Sequence, residues 1–203
     1  MSKEDASRLL EWLGPKGCII DLRNIDELKP ECLSPGSQYF YKNAPDVRRR
    51  PVISNDRFWQ RVEQDMSILE RGTALFQTIY DGNAMTKALS KRLGDRGIPF
   101  FYQIILDTSA VEIGGVLKEI TTQAAEGNRV IFHCAKGKDR TGIVASLLQL
   151  SVGVPADEII EEYAKSEALL KEKEDSGKSY RFIDWRKLRG SPPEAMRHTI
   201  EYL

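Results

Sequence analysis

Cysteine is scarce in this 203-residue chain. There are three, Cys18, Cys32 and Cys134, widely spaced and never in a Cys-x-x-Cys pair. With two histidines beside them, no stretch has zinc-ligand spacing, so no metal site is expected. An odd, sparse set of thiols suits a reducing compartment, and a cytoplasmic location is the expectation. Excess charge of either sign is also missing: 30 Lys+Arg balance 30 Asp+Glu. That excludes nucleic-acid binding by whole-molecule electrostatics, so any anion recognition must be local. No run of about 18 apolar residues occurs, so no membrane-spanning helix is expected. Met1-Ser2-Lys3-Glu4-Asp5 lacks the basic-then-apolar pattern of a secretory leader. Repeats and low-complexity tracts are absent. The remainder is ordinary for a globular chain, 41% hydrophobic and 30% charged, and its length fits one domain, residues 1–203, with a proper core.

Against that plain background one stretch stands out. Val130-Ile131-Phe132-His133 is a short β-branched and aromatic run that reads as a buried strand. Thr141-Gly142-Ile143-Val144-Ala145-Ser146-Leu147-Leu148 reads as a buried helix. Between them lie Cys134, five residues and Arg140. A loop that leads from a strand into a helix N-terminus can gather backbone N–H groups around an oxyanion, and the helix dipole adds to the field. Arg140 brings a planar fork that holds two phosphate oxygens at once. At the floor of such a loop the same positive field favours a Cys134 thiolate. A thiolate beside a bound phosphoryl group permits displacement at phosphorus through a phosphocysteine.

The string His133-Cys134-Ala135-Lys136-Gly137-Lys138-Asp139-Arg140-Thr141-Gly142 resembles the signature of the cysteine-dependent protein tyrosine phosphatases. In detail it is similar to the tyrosine/serine phosphatase branch whose loop carries Gly-Lys-Asp-Arg. The resemblance implies an α/β fold: a central, mostly parallel twisted sheet flanked by helices, with a helical insertion near the active site, here about residues 56–93. It implies a phosphatase acting on phosphotyrosine or phosphoserine proteins and on phosphoinositides, without cofactor or metal. The expected partners are a phosphorylated protein or a phosphoinositide, with no nucleic acid, and peripheral membrane contact stays open. One departure goes with it: the family's Asn-Phe-Arg-Asp-Leu-Gly start is absent; the sequence also shows no Trp-Pro-Asp from which an acid could be read. Two other readings stay open, a catalytically silent phosphate-binding module and a thiol enzyme of the arsenate-reductase or sulfurtransferase kind.

Along the chain, residues 4–13 read as a helix, broken at Gly14-Pro15-Lys16-Gly17. Cys18 to Arg23 reads as a strand, which in the resembled family lies beside the catalytic strand with a Glu nearby, here Glu27. Asp21 and Arg23 either orient the loop or form a solvated pair. Residues 30–57 read as irregular, with Tyr39-Phe40-Tyr41 as a short strand. Arg48-Arg49-Arg50 is either a solvated loop or a basic rim for polyanionic head groups. Residues 56–93 read as helices, interrupted at Gly72. Ile98 to Leu106 reads as a strand, followed by a helix start where Ser109 and Glu112 make a capping box. Strand, helix, strand in succession implies a parallel sheet. After the catalytic helix, Gly153-Val154-Pro155 is a turn, and a long helix opens at Ala156. Lys171 to Lys178 reads as an exposed polar stretch, and Pro193-Glu194 resembles the family's final helix start.

The roles follow. Cys134 is the nucleophile. Arg140 and the amides of Ala135, Lys136, Gly137, Lys138, Asp139 and Arg140 hold the phosphoryl oxygens. His133 fixes the loop. Thr141 resembles the family hydroxyl that bonds the sulfur and makes it a better leaving group. The leaving oxygen needs a proton. Asp139 in the loop is the favoured acid, and Asp107, read as following a strand where related enzymes mount an acid on a movable loop, is the alternative. Lys138 and Lys136 add positive charge at the rim. Cys18 is expected to be core packing, although a regulatory disulfide from Cys18 or Cys32 to Cys134 stays open.

Overall fold

A computed structural model describes residues 1–28, 33–170, 188 and 190–203. They form two compact units, one of residues 1–53 and 109–148, the other of residues 54–108 and 149–203.

The first unit carries the sheet. Three parallel strands run in the order β2-β1-β3: β1 is Cys18–Asp21, β2 is Val47–Arg49 and β3 is Val130–His133. The central strand β1 is buried at every residue, which is why Cys18-Ile19-Ile20 is a continuous apolar run without alternation. Helix α1 (Lys3–Leu13) starts on a capping box from Ser2 and Asp5. Helix α2 (Pro35–Asn43) starts on Ser34 with Pro35 in its first turn. Ala6 and Leu13 of α1 and Phe40 of α2 pack with Ile19 in a core cluster, with Leu10, Tyr41, Val47 and Ile131 at its margin. Helices α5 (Ala84–Ala125) and α6 (Asp139–Ser151) supply their remaining residues to this unit from 109 onward and up to 148. The chain enters β3 through Gly127-Asn128, as the sequence predicts.

The second unit is helical: α3 (Asn55–Gln64), α4 (Ile68–Gln77), the first part of α5, α7 (Ala156–Ala164), α8 (Ser166–Leu170) and α9 (Pro193–Tyr202). The predicted helical stretch 56–93 and the Pro193 helix start are found here. The hydroxyls of Tyr102 and Tyr163 meet at 2.7 Å in its interior. Arg92 donates to both the carboxylate and the carbonyl of Asp65, at 2.7 and 2.6 Å.

Several expectations are corrected. Residues 98–106 are helix, inside α5. Ile98, Phe100, Tyr102 and Ile104 are all buried, so the run imitates the period of two of a strand. Its true cause is a helix buried over much of its circumference, which an apolar run alone cannot distinguish. Ser109 and Glu112 therefore lie mid-helix and cap nothing. The real interruption is at Gly97, whose φ is +73°, a left-handed value that glycine adopts without a Cβ penalty; Pro99, which lacks an N–H, follows. Tyr39-Phe40-Tyr41 is helical, inside α2, and Val47–Arg49, read as irregular, is the edge strand β2. Gly72 lies within α4, while the break between α3 and α4 falls at 65–67. The helix from Ala156 is divided at Lys165. Among the described residues α5 is long and apolar enough to cross a membrane by length and composition. Tyr102, Ile104 and Ile105 in it are fully buried within the protein. Cys32 and the stretch 171–178 lie outside the described residues.

Candidate active site

The loop from β3 to α6 is built as the sequence predicts. Cys134 follows the last residue of β3 and is 5% exposed. Gly137 has φ +72°, a turn that a side chain would strain. Helix α6 opens at Asp139, with the Gly142 N–H donating to the Lys138 carbonyl at 2.8 Å. The Cys134 N–H donates to Thr141 Oγ1 at 2.9 Å, closing the loop on itself. Thr141 thus acts on the Cys134 amide as an acceptor, and its hydroxyl hydrogen remains available to donate. Among the described residues, the amide N–H groups of Ala135, Gly137 and Arg140 have no acceptor within the protein. Open backbone N–H groups in a loop that leads into a helix N-terminus are the donors from which an anion nest can be made.

Arg140 is 9% exposed. Its two terminal nitrogens donate to the Glu27 carboxylate, Nη1 to Oε2 at 2.6 Å and Nη2 to Oε1 at 2.7 Å, and Nη1 also reaches the Leu22 carbonyl at 3.3 Å. Glu27 is fixed in turn by the Asn24 N–H at 2.9 Å, across the 3₁₀ turn Ile25–Glu27. The end of the fork is therefore occupied. The Nε hydrogen and the second Nη2 hydrogen lie along its other edge, a bidentate pair for two oxygens. Burial raises the Glu27 carboxyl, but the Arg140 hydrogen bond and charge outweigh it and hold the group below its usual range. Arg140 itself is held more firmly protonated than an ordinary arginine, since Glu27 and the nearby Cys134 outweigh its burial. Glu27, the Glu that the resemblance expects near this loop, thus has a defined partner.

Behind the loop runs a second network, which sequence reasoning missed in part. Arg23 grips Asp21 at 2.9 and 2.7 Å, both buried. The pair is structural, not a solvated strand end. Tyr41 Oη accepts from Arg23 Nη2 at 2.8 Å, lies 3.2 Å from Asp21 Oδ2 and 2.6 Å from His133 Nε2. His133 Nδ1 is 2.9 Å from the Cys134 carbonyl. A carbonyl only accepts, so Nδ1 carries a hydrogen. With the ring neutral, Tyr41 must donate to Nε2; with the ring charged, it turns its hydrogen to Asp21. Burial, then Asp21, pushes the Tyr41 phenol up, so it stays protonated. Tyr41 carried no local signal, because its partner is 92 residues away.

Other expected residues are placed differently. Asp107 lies inside α5, not on a loop; its oxygens are taken by Arg61 Nε at 3.0 Å and Tyr202 Oη at 2.6 Å. Lys138 is 3% exposed, with Nζ 3.1 Å from Asp139 Oδ1, so it is no rim residue. The pairing explains its burial, since a lysine is rarely enclosed without a carboxylate. Lys136 is exposed. Arg48 and Arg50 of the basic cluster both pair with Glu119, at 3.0 and 2.6 Å, which neutralises much of that rim. Cys18 is buried, and burial pushes its thiol up. It pairs with Val130 across the sheet, four residues before Cys134. That leaves about 13 Å between the two Cα positions along the strands, beyond the ~7 Å that a disulfide spans.

The profile of the tyrosine phosphatase family matches the chain along residues 1–203. The chain belongs to the tyrosine phosphatase family. It is similar to a tyrosine-protein phosphatase of Nostoc commune, 54% identical over 43 residues, which is 21% of this chain and 15% of the relative. It is also similar to the triple specificity protein phosphatase PtpB of Mycobacterium tuberculosis, 42% identical over 50 residues, 25% of this chain and 18% of that protein. A putative tyrosine-protein phosphatase of Cupriavidus necator matches at 46% over 43 residues, 21% of this chain and 16% of that one. These matched segments thus span less than a fifth of each relative's length.

Proposed function

We propose that residues 1–203 form a cysteine-dependent phosphatase domain that hydrolyses phosphomonoesters through a phosphocysteine, with the Gly137-Lys138-Asp139-Arg140 loop of the tyrosine/serine branch. The observation that carries this reading is the Glu27 grip on the end of Arg140. It holds the other edge of the fork ready for two phosphoryl oxygens in the loop that also bears Cys134. In the first step Cys134 Sγ bonds to phosphorus and the ester P–O bond breaks, while Asp139 gives its proton to the leaving oxygen. In the second, water bonds to phosphorus, the S–P bond breaks and Asp139 takes the water's proton. Thr141 steadies the departing sulfur, and the loop amides with Arg140 hold the oxygens throughout. Asp139 is preferred over Asp107 because it lies in the segment between Cys134 and Arg140, at the start of α6, whereas Asp107 lies mid-helix in α5 with both carboxylate oxygens engaged by Arg61 and Tyr202.

For the substrate, we infer phosphotyrosine and phosphoserine proteins, with phosphoinositides as a further class. The name of the Mycobacterium relative, triple specificity, supports breadth. Lys136 is the exposed loop cation that would meet a second phosphate.

Turnover of p-nitrophenyl phosphate and of an alkyl phosphate separates the roles. Cys134→Ser should abolish turnover yet still bind phosphate; residual activity within about tenfold of wild type would remove Cys134 as nucleophile. Asp139→Asn should cost about 10²–10⁴ on the alkyl ester and much less on the nitrophenyl ester, whose leaving group departs without a proton. A reversal of that pattern in favour of Asp107→Asn would reassign the acid.

A further inference from the structure

Helix α3 turns a wholly polar stripe toward an open cleft. Arg57, Gln60, Arg61 and Gln64 recur at i, i+3, i+4 and i+7, one face of a helix. With Asp107 and Thr108 of α5 they line a cavity of about 270 Å³. The acidic residues of α3, Asp56 and Glu63, fall roughly 100° from the centre of that stripe. Asp107 is therefore the one carboxylate in the lining. All six residues belong to the helical unit, and none to the Cys134 loop.

Two arginines one turn apart on a helix repel each other, so this wall calls for a counter-charge. Asp107 answers Arg61 only in part. An arginine and a carboxylate side by side normally join through two parallel N–H···O bonds. Here Arg61 Nε donates to Asp107 Oδ2 at 3.0 Å, while Tyr202 Oη donates to Asp107 Oδ1 at 2.6 Å. Among the described residues, none accepts from the two terminal nitrogens of Arg61. The guanidinium is nonetheless fixed, by its Nε bond and by its seat over the buried Phe100 ring, 5.9 Å from the centroid. By occupying Oδ1, Tyr202 spares a held, planar fork. A donor already held in place loses less freedom when a ligand binds.

We propose that this cleft binds a small molecule through a carboxylate or phosphate group, held end-on by the terminal nitrogens of Arg61. Arg57 adds a second positive charge, and the Gln60 and Gln64 amides, which both donate and accept, bond polar groups on the rest of the molecule. A neutral ligand fits less well, because it leaves two guanidinium groups answered by Asp107 alone. The cavity falls just under the ~300 Å³ at which pockets for drug-sized ligands begin, so the ligand is a compact one. Binding here is independent of the chemistry at Cys134.

Arginine Nε–H NMR of the full chain reads this site apart from the Cys134 loop, with the Arg61 signal assigned by its loss in Arg61→Lys. Inorganic phosphate and succinate are the probes, each titrated at a constant ionic strength of about 0.1 M so that screening is the same throughout. A saturating shift at Arg61 with a Kd of about 10 mM or less is expected for at least one probe, and the probe that saturates names the group. Arg57→Gln should raise that Kd by about tenfold. Tyr202→Phe should raise it by about threefold to tenfold, because Asp107 Oδ1 is then free to take a second Arg61 hydrogen. Circular dichroism of both variants checks that the helices are kept. Shifts that climb linearly with both probes up to about 50 mM would overturn the proposal, as would an affinity that Tyr202→Phe leaves unchanged.

Discussion

Arg140 and His133 each reach their place through a partner distant in sequence, and each partner can be removed by one atom or one group. Arg140→Lys keeps the charge but loses the planar fork, so it cannot hold Glu27 and two phosphoryl oxygens together. A fall in kcat/KM of at least about 10²-fold is expected; near-normal kinetics would mean that the fork is not used on phosphate. Tyr41→Phe removes a hydroxyl that joins Arg23, Asp21 and His133. Leaving buried partners unsatisfied should cost about 1–3 kcal/mol of stability, read from the urea midpoint. If Tyr41 sets the hydrogen on His133, kcat should also fall and the pH profile of kcat should move, with phosphate affinity little changed. A variant that loses stability alone would make Tyr41 a packing residue. The phenol could not have been found from its neighbours, whereas Cys134 and Arg140 could, because their meaning lies in a local spacing.

Elements were legible in proportion to how local their causes are. Strand β1 read correctly because a buried parallel strand is a short apolar run bounded by turns, whereas β3 is a strand as expected but half-buried at every residue, at an edge of the sheet, not buried. The other edge strand, β2, was not legible, since Val47-Arg48-Arg49 has two arginines whose pairing to Asp46 and Glu119 is tertiary. Helix α5 was misread at 98–106 because burial on many sides erases the helical period. Pro99, inside the run read as a strand, lies within α5 just after the left-handed Gly97. The strand–loop–helix around Cys134 was legible, but Lys138 was misplaced because its ion pair with Asp139 draws it inward. The reading of α5 can be tested with its own glycines. Gly97→Ala puts a Cβ at φ +73° and should destabilise the protein by about 1–2 kcal/mol despite alanine's helix preference. Gly114→Ala or Gly115→Ala, where a Cβ meets nothing within 4 Å, should stabilise it by up to about 1 kcal/mol. Thermal unfolding of the three variants decides; equal effects would mean that no interruption exists at Gly97.

At the scale of the molecule, the same buried carboxylates that arrange the site also set its acid limit. Burial raises both Asp21 and Glu27, but Arg23 and His133 for the first, and Arg140 and the Asn24 N–H for the second, outweigh it and leave both below their ordinary range. A carboxyl with a lower value folded than unfolded binds fewer protons when folded. Its contribution is therefore fully present above the unfolded value, about 4, and is lost as pH falls through the folded one. The urea midpoint should stay level from neutrality to about pH 5 and decline below about pH 4. Asp21→Asn removes one titrating group, so that variant should be less stable at pH 7 and should lose less on going from pH 5 to pH 3. Glu27→Gln should behave alike in slope and, in addition, raise KM for phosphate esters at neutral pH, because the Arg140 fork is no longer held at its end. Stability curves for wild type and Asp21→Asn that fall in parallel would show that other carboxylates carry the acid limb, and that the Asp21–Arg23–Tyr41–His133 network titrates outside this window.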